Sequence, residues 1–310
     1  MNDAPKYAVV TGASGFIGTA LVRHLRAGGW DVVAVDRKPF ADADQRIRLI
    51  DVAQEGALAG LLDDRTVVFH MAASADVAAS VANPRHDFDN TFRGVFEVLE
   101  AARHAGSRVV FPSTASIFDA SNTLPLAERA FPRPTSPYAA GKLGGEAYCH
   151  AYHRSYGVDV RIARLFSVYG IGMFRFAIHD IVRKIQQNHE ELTILGDGSQ
   201  VRDYLFIDDA VRGLTMVATE GASGEEYNVA SGEPVRLLDL ARLIAELMGY
   251  PDIRIRPTGR SFAGDTARWY ADISKVRGLG FEPGVDLRSG LRRTIEWLAA
   301  RPVKVAEVAQ

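Results

Sequence analysis

Tyr138 and Lys142, in the stretch "SPYAAGK", are spaced i, i+4, which on a helix puts a phenol and an amine on one face. A phenol is too weak an acid to act as a base near neutral pH unless positive charge stabilises its anion. A nearby ammonium and the positive ring of a bound NAD⁺ would supply that charge. Such a pair can take the proton of a substrate hydroxyl while hydride leaves the same carbon. A second stretch, "FPSTASIF" at 111–118, crowds three hydroxyls together at the end of an apolar run. It reads either as a polar strand end or as the hydroxyl part of a catalytic site.

The cofactor for hydride chemistry has its own trace. "VVTGASGFIG" sets Gly12, Gly15 and Gly18 between a strand-like run and a helical pattern. Glycines there permit a tight turn and bring a pyrophosphate close to the N–H groups of a helix N-terminus. The next β-branched run, "DVVAVD", ends at Asp36, 18 residues past Gly18. A carboxylate at that place accepts hydrogen bonds from ribose hydroxyls and repels a 2′-phosphate, so NAD is expected rather than NADP. Arg37 beside it weakens that preference.

The scaffold these groups need is legible in the pattern. Short runs ("YAVV", "DVVAV", "VVFHMA", "RVVFP", "DVRIARL") alternate with helical segments at 16–27, 85–104 and 138–156. This predicts an α/β fold, a Rossmann-type doubly wound parallel sheet with helices on both faces. After Gly170 the rhythm loosens into helical patterns near 175–188, 208–219 and 236–248, with short strands between them. We expect a dinucleotide domain over 1–170, to which some later segments return, and a smaller mixed α/β lobe over 171–310. The chain has 310 residues, is 47% apolar and carries a formal charge of −2, with no Lys/Arg-rich run, which argues against nucleic acid as a partner. One cysteine, Cys149, excludes an internal disulfide framework and a Cys-based zinc site. No apolar stretch is long enough to span a membrane, and the first strand begins too early for a signal peptide, so a cytoplasmic location is expected.

Together "TGASGFIG", Asp36, "HMAA", "STAS", "YAAGK", "RLFSVYG", "GDGSQVRDY", "YNVASGE" and "YADISK" span nearly the whole chain. In these stretches the sequence resembles the extended short-chain dehydrogenases/reductases, the NAD-dependent nucleotide-sugar epimerases and dehydratases. The resemblance implies Tyr138 as base, Lys142 as its partner and cofactor ligand, and Thr114 as the hydroxyl beside the reacting oxygen, with Ser113 next to it. It implies cofactor contacts from Gly12, Gly15, Phe16, Ile17, Gly18, Asp36, Asp51, Val52, Ala72 and Ala73. It also implies a nucleoside diphosphate-sugar substrate, expected to be UDP-linked, met by Arg202, by Arg268 and more weakly by Arg260, with Ser167 in place of the family's frequent Asn. A homodimer is expected through the helix containing "FRGVFEVLEAAR" and the Tyr138 helix.

The departures from the family pattern narrow the reaction. The 4,6-dehydratases of this family carry Asp-Glu directly after the catalytic Thr, and the uronate decarboxylases a Glu at the second of those positions. Ala115 and Ser116 stand there, and neither supplies a carboxyl. What remains is hydride removal at C4, turnover of the ketosugar and hydride return to the other face, a 4-epimerisation. Trp269 aligns with a position that gates N-acetyl groups, and its bulk argues against N-acetylhexosamines. Arg175 falls where uronate epimerases have a similar segment and could pair with a C6 carboxylate. UDP-glucuronate/UDP-galacturonate is the first expectation and UDP-glucose/UDP-galactose the second. The alternatives are a 4-ketoreductase and a non-catalytic NAD sensor of the same fold. Asp208 and Asp209 read as helix-start residues and His70 as a packed strand end. His150 and His153 lack partners at metal-ligand spacing, so no metal is expected.

Overall fold

The computed structural model describes residues 6–40, 46–260 and 268–301. The strands are β1 (Tyr7–Thr11), β2 (Asp31–Asp36), β3 (Arg48–Leu49), β4 (Thr66–His70), β5 (Arg108–Thr114), β6 (Val160–Leu165), β7 (Ser167–Tyr169), β8 (Glu191–Ile194), β9 (Val201–Phe206), β10 (Glu225–Val229), β11 (Pro234–Arg236) and β12 (Arg254–Pro257). The helices are α1 (Phe16–Ala27), α2 (Val77–Ala82), α3 (Pro84–Ala105), α4 (Pro137–Tyr156), α5 (Phe176–Gln187), α6 (Ile207–Glu220), α7 (Leu237–Leu247), α8 (Ser274–Arg277) and α9 (Leu287–Ala299).

One seven-stranded sheet runs β3-β2-β1-β4-β5-β6-β10, and every pairing in it is parallel. Its strands are apolar on both faces because both are covered. Alternation sends Ala8, Val10, Phe69 and Val110 to one side, where they meet Leu21, Val22 and Leu25 of α1 and Ala210 and Leu214 of α6. Val9, Val68, Val109 and Phe111 go to the other side, against Val95, Val98 and Leu99 of α3 and Cys149 of α4. The strand order reverses direction at the β1/β4 boundary, the switch point at which such sheets bind ligands beyond the strands' carboxyl ends.

The helix that carries Tyr138 is fixed by local chemistry. The Ser136 hydroxyl accepts from Ala139 N at 3.2 Å, Pro137 fills the first turn, and Gly157 closes the helix with φ 70°. Farther on, β7, β9 and β11 form a small mixed sheet, and β8 pairs with β12. The strand β10 lies in the large sheet although it follows these elements' start in the chain. The short elements α2 and β3 were not foreseen, since six and two residues are too few to show a period.

A buried ion pair binds the catalytic helix to the sheet. Arg164 of β6 donates from Nε and Nη2 to the two Glu146 oxygens of α4 at 2.9 and 2.7 Å, and from Nη1 to Glu128 O at 2.6 Å. Both side chains are only 4% exposed. Removing one partner would strand the other's charge, so Arg164→Met is expected to cost about 3–5 kcal/mol of stability, read by urea denaturation.

Candidate active site

The turn from β1 into α1 is built for a close ligand. Gly12 has φ 63°, and a Cβ on it would lie 2.5 Å from Ala72 N, so a side chain is excluded by both conformation and space. A Cβ on Gly18 would meet Gly12 O at 2.1 Å. Gly15 caps α1 without a side chain, and no acidic residue lies in the helix's first turn. The N–H groups of Phe16, Ile17 and Gly18 thus have neither a capping oxygen nor a repelling carboxylate before them, which suits a pyrophosphate.

Around this turn the other expected cofactor residues assemble. Asp36 ends β2 and accepts from Ser14 N and Lys38 N, both at 3.0 Å. Ile50 N bonds Asp36 O at 2.9 Å, which brings Asp51 and the buried Val52 to the same corner. Arg37 Nη1 lies 3.9 Å from Asp51, so the guanidinium that would welcome a 2′-phosphate is already facing a carboxylate. Ala72 N bonds the Thr11 hydroxyl at 3.3 Å, and that hydroxyl meets His70 Nδ1 at 2.9 Å. Burial, aided by the Lys142 charge, pulls His70 down to about 3, so its ring is neutral and serves packing rather than proton transfer. The residues present fit NAD.

The reacting groups sit at the carboxyl ends of β5 and β6, where Thr114 pairs with Leu165. Thr114 and Ser113 point to opposite faces of β5. The Thr114 hydroxyl stands beside Tyr138 and favours its phenolate. It also donates to Ser116 Oγ at 3.2 Å and accepts from Ser116 N at 3.2 Å. Ser113 is buried beside Phe111's face, and its hydroxyl has no partner among the described residues. Lys142 lies one turn beyond Tyr138, is 5% exposed, and donates from Nζ to Pro112 O at 2.8 Å.

The electrostatics depart from the simple expectation. Burial pushes the Tyr138 phenol up to about 12, the nearby Asp87 charge adds to the rise, and the Thr114 hydrogen bond and Arg175 charge oppose it. Burial brings Lys142 down to about 8. The ammonium is turned to a backbone carbonyl, and in the chain by itself the positive charge that favours the phenolate comes from Arg175. Arg175 is exposed, its guanidinium 4.7 Å from the Phe176 ring centre.

A second group forms beside β9. The Arg202 guanidinium stacks on Trp269 at 4.2 Å, and Arg268 bridges to Val201. The Trp269 indole N–H is buried with no partner among the described residues. Arg202 does not pair with its neighbour Asp203. Asp203 is fully buried and accepts from Ser231 N, Ser231 Oγ, Gly232 N and Ala271 N. Ser167 opens β7, and Arg260 is exposed. Asp209 accepts from Gly284 N and Val285 N, and Asp208 pairs with Arg293, so these carboxylates are structural.

Two participants were missed in the sequence. Ser116 was weighed only for the carboxyl it lacks, yet it holds Thr114. Asp87 of α3 is buried near Lys142 and Tyr138. Its signal was present: Asp87 falls on the same helical stripe as Thr91, Gly94, Val95, Val98 and Ala102, a charge on a face otherwise committed to the core.

Comparison with known proteins places the chain. The profile of the NAD dependent epimerase/dehydratase family matches residues 8–230. The chain belongs to that family. It is 31% identical over 313 residues to the dTDP-glucose 4,6-dehydratase of Actinoplanes sp., covering 94% of this chain and 97% of that one. It is 30% identical over 316 residues to the UDP-glucuronate 4-epimerase of Thermodesulfobacterium geofontis, covering 94% and 95%. Among solved structures, MoeE5 in complex with UDP-glucuronic acid and NAD superposes with a TM-score of 0.86 at 32% identity, covering 94% of this chain and 99% of that one. The protein is thus an NAD-dependent enzyme of the epimerase/dehydratase type, with the Rossmann-like fold expected. Among the described residues no helix is long and apolar enough to cross a membrane, and no cluster of His, Cys, Asp and Glu could hold a metal.

Asp36→Ala removes a charged acceptor at the ribose position. It is expected to weaken NAD about tenfold and to shrink discrimination against NADP, both read by calorimetric titration.

Proposed function

We propose that the protein is a nucleotide-sugar 4-epimerase acting on a UDP-hexuronate, with UDP-hexose as the second substrate class. The observation that carries this reading is the group around Thr114. Its hydroxyl stands beside Tyr138 and is held by Ser116, and Ala115 next to it is buried and inert. The positions that would need a carboxyl for loss of water therefore hold a methyl and an occupied hydroxyl.

In this reading Thr114 steadies the sugar O4 and Tyr138 takes its proton. Gly12, Gly15, Gly18 and Asp36 would hold NAD, which would supply a reversible hydride acceptor for C4. Lys142 keeps positive charge behind Tyr138. Tyr138 then returns the proton, and no cofactor is consumed. Arg202 and Arg268 receive the diphosphate-sugar, because buried phosphate needs charged donors.

The hexuronate preference rests on Arg175, whose positive charge favours the Tyr138 phenolate. The next residue, Phe176, has φ 69°, a conformation that costs a bulky side chain about 1–3 kcal/mol and that persists mainly at functional sites. A carboxylate at C6 is the complementary partner for that guanidinium. We further infer a homodimer. Phe88, Phe92 and Phe96 on α3 and Tyr148, Tyr152 and Tyr156 on α4 form one continuous aromatic row, with Phe88, Phe96, Tyr148 and Tyr156 exposed. A second copy of the same row is its self-complementary cover.

Four measurements test these readings. Incubation with UDP-glucuronate, UDP-glucose, UDP-N-acetylglucosamine and dTDP-glucose, without added cofactor and with products resolved by NMR, is expected to give the C4 epimer of UDP-glucuronate. A 4-keto-6-deoxy product, or no turnover of any substrate by NAD-loaded protein, would overturn the epimerase. Tyr138→Phe is expected to lower kcat about 10²–10⁴-fold. Arg175→Gln should cut kcat/KM for UDP-glucuronate about 10²-fold and that for UDP-glucose much less, since UDP-glucose loses only the charge at Tyr138 and no carboxylate partner. Sedimentation is expected to give a dimer that Tyr148→Glu converts to monomer.

A further inference from the structure

Asp87 is a carboxyl in an unusual place. It lies on α3 at 2% exposure, beneath α4 at the step between Tyr138 and Lys142. Gly141 makes room for it: a Cβ there would lie 3.8 Å from Asp87 Oδ2 and 3.4 Å from Thr91 Cγ2. Thr91 Oγ1 donates to Asp87 Oδ1 at 3.4 Å and accepts from Ser74 N at 3.2 Å, which ties the carboxyl to the loop after β4. The Ser74 side chain and Thr91 also favour the charged form of Asp87, against the burial that raises its pKa. An isolated carboxylate is costly at such a depth, and hydroxyls alone do not compensate it.

We propose that Asp87 is a positioning residue, the counter-charge that keeps the buried Lys142 ammonium charged and docked on Pro112 O behind Tyr138. Its functional meaning rests on the reading of Tyr138 and Lys142 as the reacting pair. Lys142 is engulfed by apolar surroundings, and its nitrogen lies over the Phe111 ring at 4.9 Å. The charged and titratable groups facing this cluster are Tyr138, Glu146 and Cys149 from α4, His86 and Asp87 from α3, His70 from β4, and Arg175 ahead of α5. His70 is neutral, and Glu146 is engaged by Arg164. After burial, which disfavours the ammonium, Asp87 is the largest influence on Lys142, and it acts to keep the proton on.

The sign of the effect follows. Without the Asp87 charge the ammonium is disfavoured further, and Lys142 loses its proton at lower pH. The test uses full-length protein labelled with [ε-¹³C]lysine, in which the resonance absent from Lys142→Met reports Lys142. The wild type is expected to titrate at about 8. Asp87→Asn should titrate about one unit lower, and Asp87→Glu, which keeps the charge, should move back toward the wild type. The alkaline limb of kcat/KM should follow the same order. An unmoved midpoint in Asp87→Asn overturns the proposal, even if kcat falls at every pH, and so does an Asp87→Glu midpoint as low as that of Asn. If Asp87→Asn does not fold, Asp87→Ser removes the same charge with a smaller polar side chain and should lower the Lys142 midpoint likewise; no lowering overturns the proposal. The titration needs no substrate, so inactivity toward UDP-sugars would count against the epimerase and not against Asp87.

Discussion

The hydrogen bond from Lys142 Nζ to Pro112 O, 2.8 Å long and buried, is the contact on which the reacting geometry depends. It ties α4 to the last residues of β5, two positions before Thr114. Tyr138 rides on that helix and Thr114 on that strand, so one ammonium fixes the distance between base and hydroxyl. A prolyl carbonyl suits this use. Its residue has no N–H to give to a sheet ladder, while the carbonyl keeps its full acceptor strength. A charged donor strengthens the bond, and the low-dielectric surroundings strengthen it again.

Those surroundings also explain how the two titrating groups relate. Burial disfavours both the phenolate and the ammonium, which moves Tyr138 up to about 12 and Lys142 down to about 8. In the chain alone the pair is poised in the wrong order for base chemistry. Positive charge brought in from outside must therefore do part of the work, and the nicotinamide ring of a bound NAD⁺ would supply it. This is a reason for a base that becomes effective only in the loaded complex, where a proton abstracted from the sugar has a hydride acceptor waiting.

Much of this was legible in the sequence, and the limits have physical causes. The strands β1, β2, β4, β5 and β6 announced themselves because a sheet covered on both faces needs unbroken apolar runs. The phosphate turn was legible because only glycine satisfies φ 63° at Gly12 and the 2.5 Å approach of Ala72 N. Tyr138 and Lys142 followed from helical spacing. The direction of the Lys142 amine did not, since i, i+4 spacing gives a shared face and says nothing of which neighbour a four-carbon stem reaches. Asp87 escaped because a charge in an amphipathic segment reads as solvated until the facing helix is known.

The contrast between Arg202 and Asp203 takes the point further. Adjacent in sequence, they suggest a surface ion pair, but β9 alternates and puts them on opposite faces. Asp203 turns inward and gathers donors from Ser231, Gly232 and Ala271, segments that no local pattern would join. Burial raises its pKa while these four hydrogen bonds hold the charged form in place. By fixing Ala271 it also anchors Trp269 two residues earlier, and with it the ring on which Arg202 stacks. A carboxylate barred from the ligand thus places the cation that would receive one, and specificity at this edge depends on a residue that never touches the substrate.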